Sequence, residues 1–149
     1  MTTVLVLQGP NLNLLGEREP EIYGSATLAQ IHEAIAAHAA RLGLTVRFYQ
    51  SNHEGALIDR LHERDFDVAI VNAGGLTHTS VSLRDALLAV QRPFIEVHLS
   101  DPATREPFRA VNFLADIALE SIVGRGAAGY DLALESIARQ VAEGTVAGG

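Results

Sequence analysis

Glu96 and His98 stand one residue apart in a run of otherwise apolar residues, Phe94-Ile95-Glu96-Val97-His98-Leu99. On a strand, positions i and i+2 project to the same face, so this spacing brings a carboxylate to an imidazole. A carboxylate there orients the ring and favours its protonated form, which is the equipment of a general acid. A metal-binding pair is the alternative, but the sequence contains neither H-x-H nor H-E-x-x-H. His32, His38 and His62 fall in helical stretches and read as surface residues, while His53 at a strand end is open to either reading.

Other polar residues collect where apolar runs end: Gly9-Pro10-Asn11, Ser51-Asn52-His53, Asn72-Ala73-Gly74-Gly75-Leu76-Thr77-His78-Thr79 and Ser100-Asp101. Gly74-Gly75 ahead of a capped helix could let a carboxylate or phosphate reach backbone N–H groups, although this is not G-x-G-x-x-G. A phosphoacceptor receiver would need Asp at the end of the third strand, where Asn72 stands.

The runs that must position these groups alternate strand and helix. Strands are expected at 3–7, 45–50, 68–72, 94–99 and 121–123, the first, third and fourth apolar enough to be buried on both faces. Helices are expected at 27–42, with Thr27 and Gln30 as a capping box and Gly43 as the stop, at 54–64, at 80–90 with Ser80 as cap, and at 130–141. The alternation predicts a flavodoxin-like, doubly wound, five-stranded parallel sheet with helices on both faces. In such a sheet ligands bind beyond the carboxyl ends of the strands, where the polar groups above converge. The segment 11–24 is too long for an ordinary connection and is either a lid or a solvated loop.

Composition narrows the chemistry. The chain has 149 residues, one domain's worth, and only the tail 144–149 reads as frayed. All 11 basic residues are Arg against 18 acidic ones, a net charge of −7, which argues against nucleic acid or an anionic membrane as partner. Without Cys there is no disulfide, thiolate nucleophile or Cys-held metal, and without Lys there is no Schiff base. No apolar run approaches the roughly 20 residues of a membrane span, and no secretory leader is visible, so a cytoplasmic protein is expected.

Taken together, 9–16 (GPNLNLLG), Arg18-Glu19-Pro20, Tyr23-Gly24, 50–55 (QSNHEG), 72–80 (NAGGLTHTS), 96–100 (EVHLS) and 105–109 (REPFR) resemble the type II 3-dehydroquinate dehydratases, from Val4 to about Ala142. The resemblance implies conversion of 3-dehydroquinate to 3-dehydroshikimate in the shikimate pathway, with no cofactor, metal or covalent intermediate. It implies Tyr23 as the base, Arg18 as the cation stabilising the tyrosinate, and Asn11 as the holder of a water at the enolate. His98 is implied as the acid and Glu96 as its orienting group. Asn72, Gly74, Leu99, Ser100, His78 and Arg109 are implied as substrate-binding residues, and Asp85 as one offered to a neighbouring subunit's site. A homododecamer built of trimers is implied as the assembly.

The central step is physically reasonable, because a free phenol is about one part in a thousand ionised at neutral pH. Correcting that takes roughly 4 kcal/mol, which one guanidinium at ~4 Å supplies at an effective dielectric of ~20. Asp101 stands where the family usually has Asn, so its carboxylate either weakens binding of an anionic substrate or faces into its own turn. Ala128 replaces an expected Gln in a segment that reads as structural. A non-catalytic binder on the same fold is the rival reading; it would be expected to lack at least one of these residues. A flavin carrier is a third, disfavoured by 5% aromatics and no Trp.

Overall fold

The apolar runs and amphipathic stretches alternate in space as they do along the chain. The computed structural model describes residues 1–17 and 19–148. Five strands, β1 (Thr3–Gln8), β2 (Thr45–Gln50), β3 (Val68–Asn72), β4 (Phe94–His98) and β5 (Glu120–Val123), form one sheet in the order β2-β1-β3-β4-β5. Every neighbouring pair is parallel. The helices are α1 (Pro20–Tyr23), α2 (Leu28–Arg41), α3 (Glu54–His62), α4 (Val81–Val90) and α5 (Ala128–Ala142). Fold class and the order of the strands and longer helices agree with the sequence reading, with boundaries differing by a few residues; the short α1, inside the segment 11–24, was not expected.

Strand periodicity divides the core. Val4, Val6, Val68, Ile70, Ile95 and Val97 face α2 and α5, meeting Ile31, Ile35, Leu134 and Ile137. Leu5, Leu7, Ala69, Val71 and Phe94 face α3 and α4, meeting Leu57, Leu61, Leu83 and Leu87. Each fully buried Leu or Ile contributes about 1.5–3 kcal/mol, so the three central strands anchor the molecule.

Local signals act as expected. Thr27 accepts from the Gln30 N–H while the Gln30 side chain accepts from the Thr27 N–H, closing the capping box of α2. Gly43, with φ of +72°, ends that helix, and Ser80 caps α4 by accepting the Leu83 N–H at 2.8 Å.

Two expectations are corrected. The tail is tied down at least to Ala147, where the Thr2 hydroxyl donates to the carbonyl at 2.8 Å, and Val146 is buried. The apolar Val146 offsets the entropy of ordering a Gly-rich end. His32 is half-buried where a surface residue was expected: its ring stacks on Phe48 at 4.2 Å between centroids, and burial lowers its pKa. His38 is half-buried beside Glu135, while His62 is exposed as expected.

At the C-terminal edge the order of the strands reverses between β1, whose successor lies to one side, and β3, on the other. The two chains separate there but remain close. The Gly9 N–H donates to the Asn72 carbonyl at 2.8 Å, and a Cβ on Gly9 would lie 2.4 Å from the Ala73 carbonyl oxygen. Glycine is what permits this approach, and the crevice opens directly above it.

Candidate active site

A cavity of about 130 Å³ occupies that crevice. The segment after β1 supplies Asn11, the segment after β3 supplies Asn72, Gly74 and His78, and β4 supplies His98, Leu99 and Ser100. Tyr23 comes from α1, and Arg109 from the long connection between β4 and β5. Nine of the twelve residues expected at the site therefore line one cavity. Of the other three, Glu96 lies behind His98, Asp85 is exposed on α4 away from this cavity, and Arg18 lies outside the described residues.

The expected pairing of Glu96 with His98 forms. His98 Nε2 donates to Glu96 Oε2 at 2.9 Å, with Thr77 Oγ1 at 3.5 Å from the same nitrogen. That leaves Nδ1 as the ring's remaining polar atom. Glu96 is wholly buried, and burial alone would raise its pKa. Hydrogen bonds from His98, Ser121 and Asn112, with the attraction of the imidazole, overcome burial and hold the carboxyl below its ordinary value. Ser121 Oγ donates at 2.6 Å, and Asn112 Nδ2 reaches both carboxylate oxygens at 3.1 and 3.0 Å. The anion is thus fully solvated by protein, as a buried charge must be.

His78 Nδ1 lies 2.6 Å from the Val111 carbonyl, which can only accept. The ring is therefore protonated at Nδ1, and Nε2 is its other polar atom. Asn11 adopts a left-handed backbone with φ of 70°, and its N–H donates to Asn52 Oδ1 at 2.9 Å. Among the described residues the N–H groups of Leu99 and Ser100 find no acceptor, so two adjacent donors stand at the rim. Gly74 differs from expectation: its N–H donates to Asn72 Oδ1 at 3.2 Å and is not available to a ligand. The carboxylate of Asp101 accepts from the Ala103 N–H at 3.0 Å, so it caps its own turn and is not among the cavity's lining groups. His53 is exposed at the start of α3, outside the cavity.

The residue missed in sequence reading is Arg105. Its Nη1 donates to the Tyr23 hydroxyl at 2.8 Å, and its guanidinium carbon lies 5.4 Å from the centre of that ring. Arg105 sat in plain view in the 105–109 run, but no periodicity tells which of two arginines in a loop turns toward a tyrosine 82 positions earlier. Asn112, inside an irregular connection, carried no signal at all.

Arg105 and Arg109 are the charged residues lining the cavity among those described, so an acidic protein presents a cationic pocket. Such an arrangement can transfer protons beside an anion: it has a tyrosine hydroxyl held by a guanidinium, an imidazole backed by a buried carboxylate, and amide donors between them. Among the described residues no three His, Asp or Glu side chains converge as metal ligands, and no helix is long and apolar enough to cross a membrane.

Comparison with known proteins bears on which reaction this is. The family model described as dehydroquinase class II matches residues 2–138. A 3-dehydroquinate dehydratase from Methylococcus capsulatus is 56% identical over 139 residues, 91% of this chain and 94% of that protein. A catabolic 3-dehydroquinase from Emericella nidulans is 51% identical over 138 residues, 91% of this chain and 90% of that one. The solved type II dehydroquinase from Butyrivibrio crossotus superposes with a TM-score of 0.89 at 38% identity, covering 91% of this chain and 97% of the other.

Proposed function

The chain belongs to the class II dehydroquinases and is a dehydratase, and on that premise we propose that it removes water from 3-dehydroquinate to give 3-dehydroshikimate, a cytoplasmic step of the shikimate pathway. One observation carries the mechanism: a single cavity holds Tyr23, bonded to the Arg105 guanidinium at 2.8 Å, together with His98, backed by Glu96 at 2.9 Å.

Tyr23, as the phenolate, takes a proton from the carbon next to the ketone, and the electron pair moves onto the carbonyl oxygen as an enolate. A water held by Asn11 hydrogen-bonds that oxygen. As the enolate collapses, the carbon–oxygen bond to the β-hydroxyl breaks, and protonated His98 gives its proton to the departing oxygen. Water and a conjugated enone result. Tyr23 has gained a proton and His98 has lost one, so a net transfer between them restores the enzyme. No metal, cofactor or covalent intermediate enters.

Arg105 stabilises the negative phenolate, and Arg18 adds to it when the 11–24 segment closes as a lid. Asn72, the N–H groups of Leu99 and Ser100 and the Ser100 hydroxyl grip the substrate carboxylate and its neighbouring groups, with His78 and Arg109 on the ring hydroxyls. Gly74 serves by holding Asn72, as its N–H is spent there. Asp85, exposed on α4, serves a neighbouring subunit in a dodecamer of trimers.

The test is ultraviolet absorbance after mixing protein with 3-dehydroquinate, following the enone. The reading expects a rise that persists with chelator and is lost in Tyr23→Phe. A folded protein that produces no rise refutes it.

A further inference from the structure

Beneath the cavity, on the α2/α5 side of the sheet, Asn72 joins a polar cluster whose other members, Gln8 and Tyr130, the proposed chemistry does not use. Gln8 ends β1 and Asn72 ends β3, and the two are register partners, so their side chains share a face. Tyr130 on α5 completes the group. Gln8 and Tyr130 are fully buried, and neither lines the cavity, so neither touches a bound molecule.

The hydrogen bonds have a single direction. The Gly74 N–H can only donate, so the atom of Asn72 facing it at 3.2 Å is Oδ1, and Nδ2 faces the Tyr130 hydroxyl at 3.0 Å. The Tyr130 oxygen therefore accepts from Asn72, and its one hydrogen goes to Gln8 Oε1 at 2.8 Å. Gln8 Nε2 then points to His32 Nε2 at 3.4 Å, the weakest link. Burial drives the Tyr130 pKa up to about 12, which keeps that hydroxyl a neutral donor.

An asparagine amide has two ends of nearly equal shape, and only its partners decide which end faces a ligand. Here Oδ1 is tied to Gly74 and one Nδ2 hydrogen to Tyr130, leaving the second Nδ2 hydrogen for the cavity that Asn72 lines. We propose that Tyr130 and Gln8 are positioning residues: they lock the Asn72 amide so that it offers a donor, and so set recognition of the substrate's anionic group. The inference rests on the reading that Asn72 contacts the substrate.

Without the Tyr130 hydroxyl, the Asn72 amide loses one of its two anchors and rotates. Without the Gln8 acceptor, the Tyr130 hydrogen turns toward Asn72 and competes for Oδ1. Because Asn72 grips the same group before and during reaction, its misorientation raises KM and spares kcat.

The experiment measures kcat and KM for Tyr130→Phe, Gln8→Met, Asn72→Ala and the Tyr130→Phe/Asn72→Ala double variant. The expected result is a KM raised roughly five- to tenfold in each of the two buried variants at nearly constant kcat. KM of the double variant should match that of Asn72→Ala alone, because Tyr130 acts only through Asn72. If Tyr130→Phe does not fold, Gln8→Met decides. A raised KM in Asn72→Ala with unchanged KM in the buried variants, or independent effects in the double variant, overturns the inference and leaves the substrate-binding role of Asn72 standing. An unchanged KM in Asn72→Ala overturns that role, and the inference with it.

Discussion

Tyr23 and Arg105 form the closest contact between a cation and a titratable hydroxyl in the cavity. The guanidinium donates to the phenol oxygen at 2.8 Å and is itself flanked by Glu106 Oε1 at 3.7 Å and Glu19 Oε2 at 4.0 Å. These two carboxylates hold Arg105 from behind while its Nη1 serves the tyrosine. Under the proposed mechanism Arg105→Ala removes the cation beside the Tyr23 base, and it is expected to lower kcat by about 100-fold, the scale of general-base catalysis, with an unchanged melting temperature. Steady-state kinetics with a thermal melt checks it; full turnover in that variant would assign the stabilising charge elsewhere. Nearby, the Asp101 carboxylate accepts from the Ala103 N–H, capping work an asparagine does equally well.

Among the elements, the junction of β1 and β3 governs the rest. It aims Asn11 and Asn72 at one cavity, and it depends on backbone approaching backbone at Gly9 and Ala73. A methyl group on Gly9 would sit 2.4 Å from the Ala73 carbonyl oxygen, and no flexible side chain is available to yield. Gly9→Ala is therefore expected to cost about 3 kcal/mol and to reduce turnover, because the two rim segments must part. Denaturant unfolding alongside the enone assay measures both. The β4–β5 connection shows the opposite strategy. It has only short 3-10 turns, at Pro102–Thr104, Pro107–Ala110 and Ala115–Ile117, yet it delivers Arg105, Arg109 and Asn112. Asn112 Oδ1 accepts from the Leu114 and Ala115 N–H groups, so one side chain shapes the loop and anchors Glu96.

For the whole molecule, the titrating groups predict a stability plateau bounded on both sides. Glu96, Asp65, Glu106 and Asp116 all sit below their ordinary values of 4.5 or 3.8. For the last three the largest cause is a hydrogen bond from Arg60, Arg109 and Arg84 respectively. A carboxyl with a depressed folded pKa stabilises the fold above its unfolded pKa, and that contribution disappears as pH falls through the folded value. His32, lowered from 6.5 by burial, acts in the same direction, so stability begins to decline below about pH 6.5 and falls steeply below 4.5. Tyr130 acts in reverse: raised from 10.0 to about 12, it stabilises the fold below pH 10 and loses that contribution, roughly 3 kcal/mol, as pH rises through 12. Melting temperature recorded from pH 3 to 12 should trace this shape. Tyrosinate absorbance should show one of the three tyrosines resisting ionisation past pH 10. Complete tyrosine ionisation by pH 10 would contradict the burial of Tyr130.

The five strands, their parallel pairing and the caps of α2 and α4 were legible from residue order, because periodicity and capping are local properties read within a few positions of the chain. The Glu96–His98 pair was legible for the same reason: a strand places i and i+2 on one face wherever it runs. The resemblance of the motifs pointed to the remaining site residues, eight of which meet in the cavity. Folding in three dimensions supplied what no local rule reaches. Arg105 finds Tyr23 across 82 positions, Asn112 finds Glu96 across 16, and Tyr130 finds Gln8 across 122. Those contacts are made by loops and facing layers whose approach depends on the packing of the whole core, and that is also why His32 proved half-buried and Val146 covered. The direction of each buried hydrogen bond followed only then, since a donor is recognised by the acceptor that faces it.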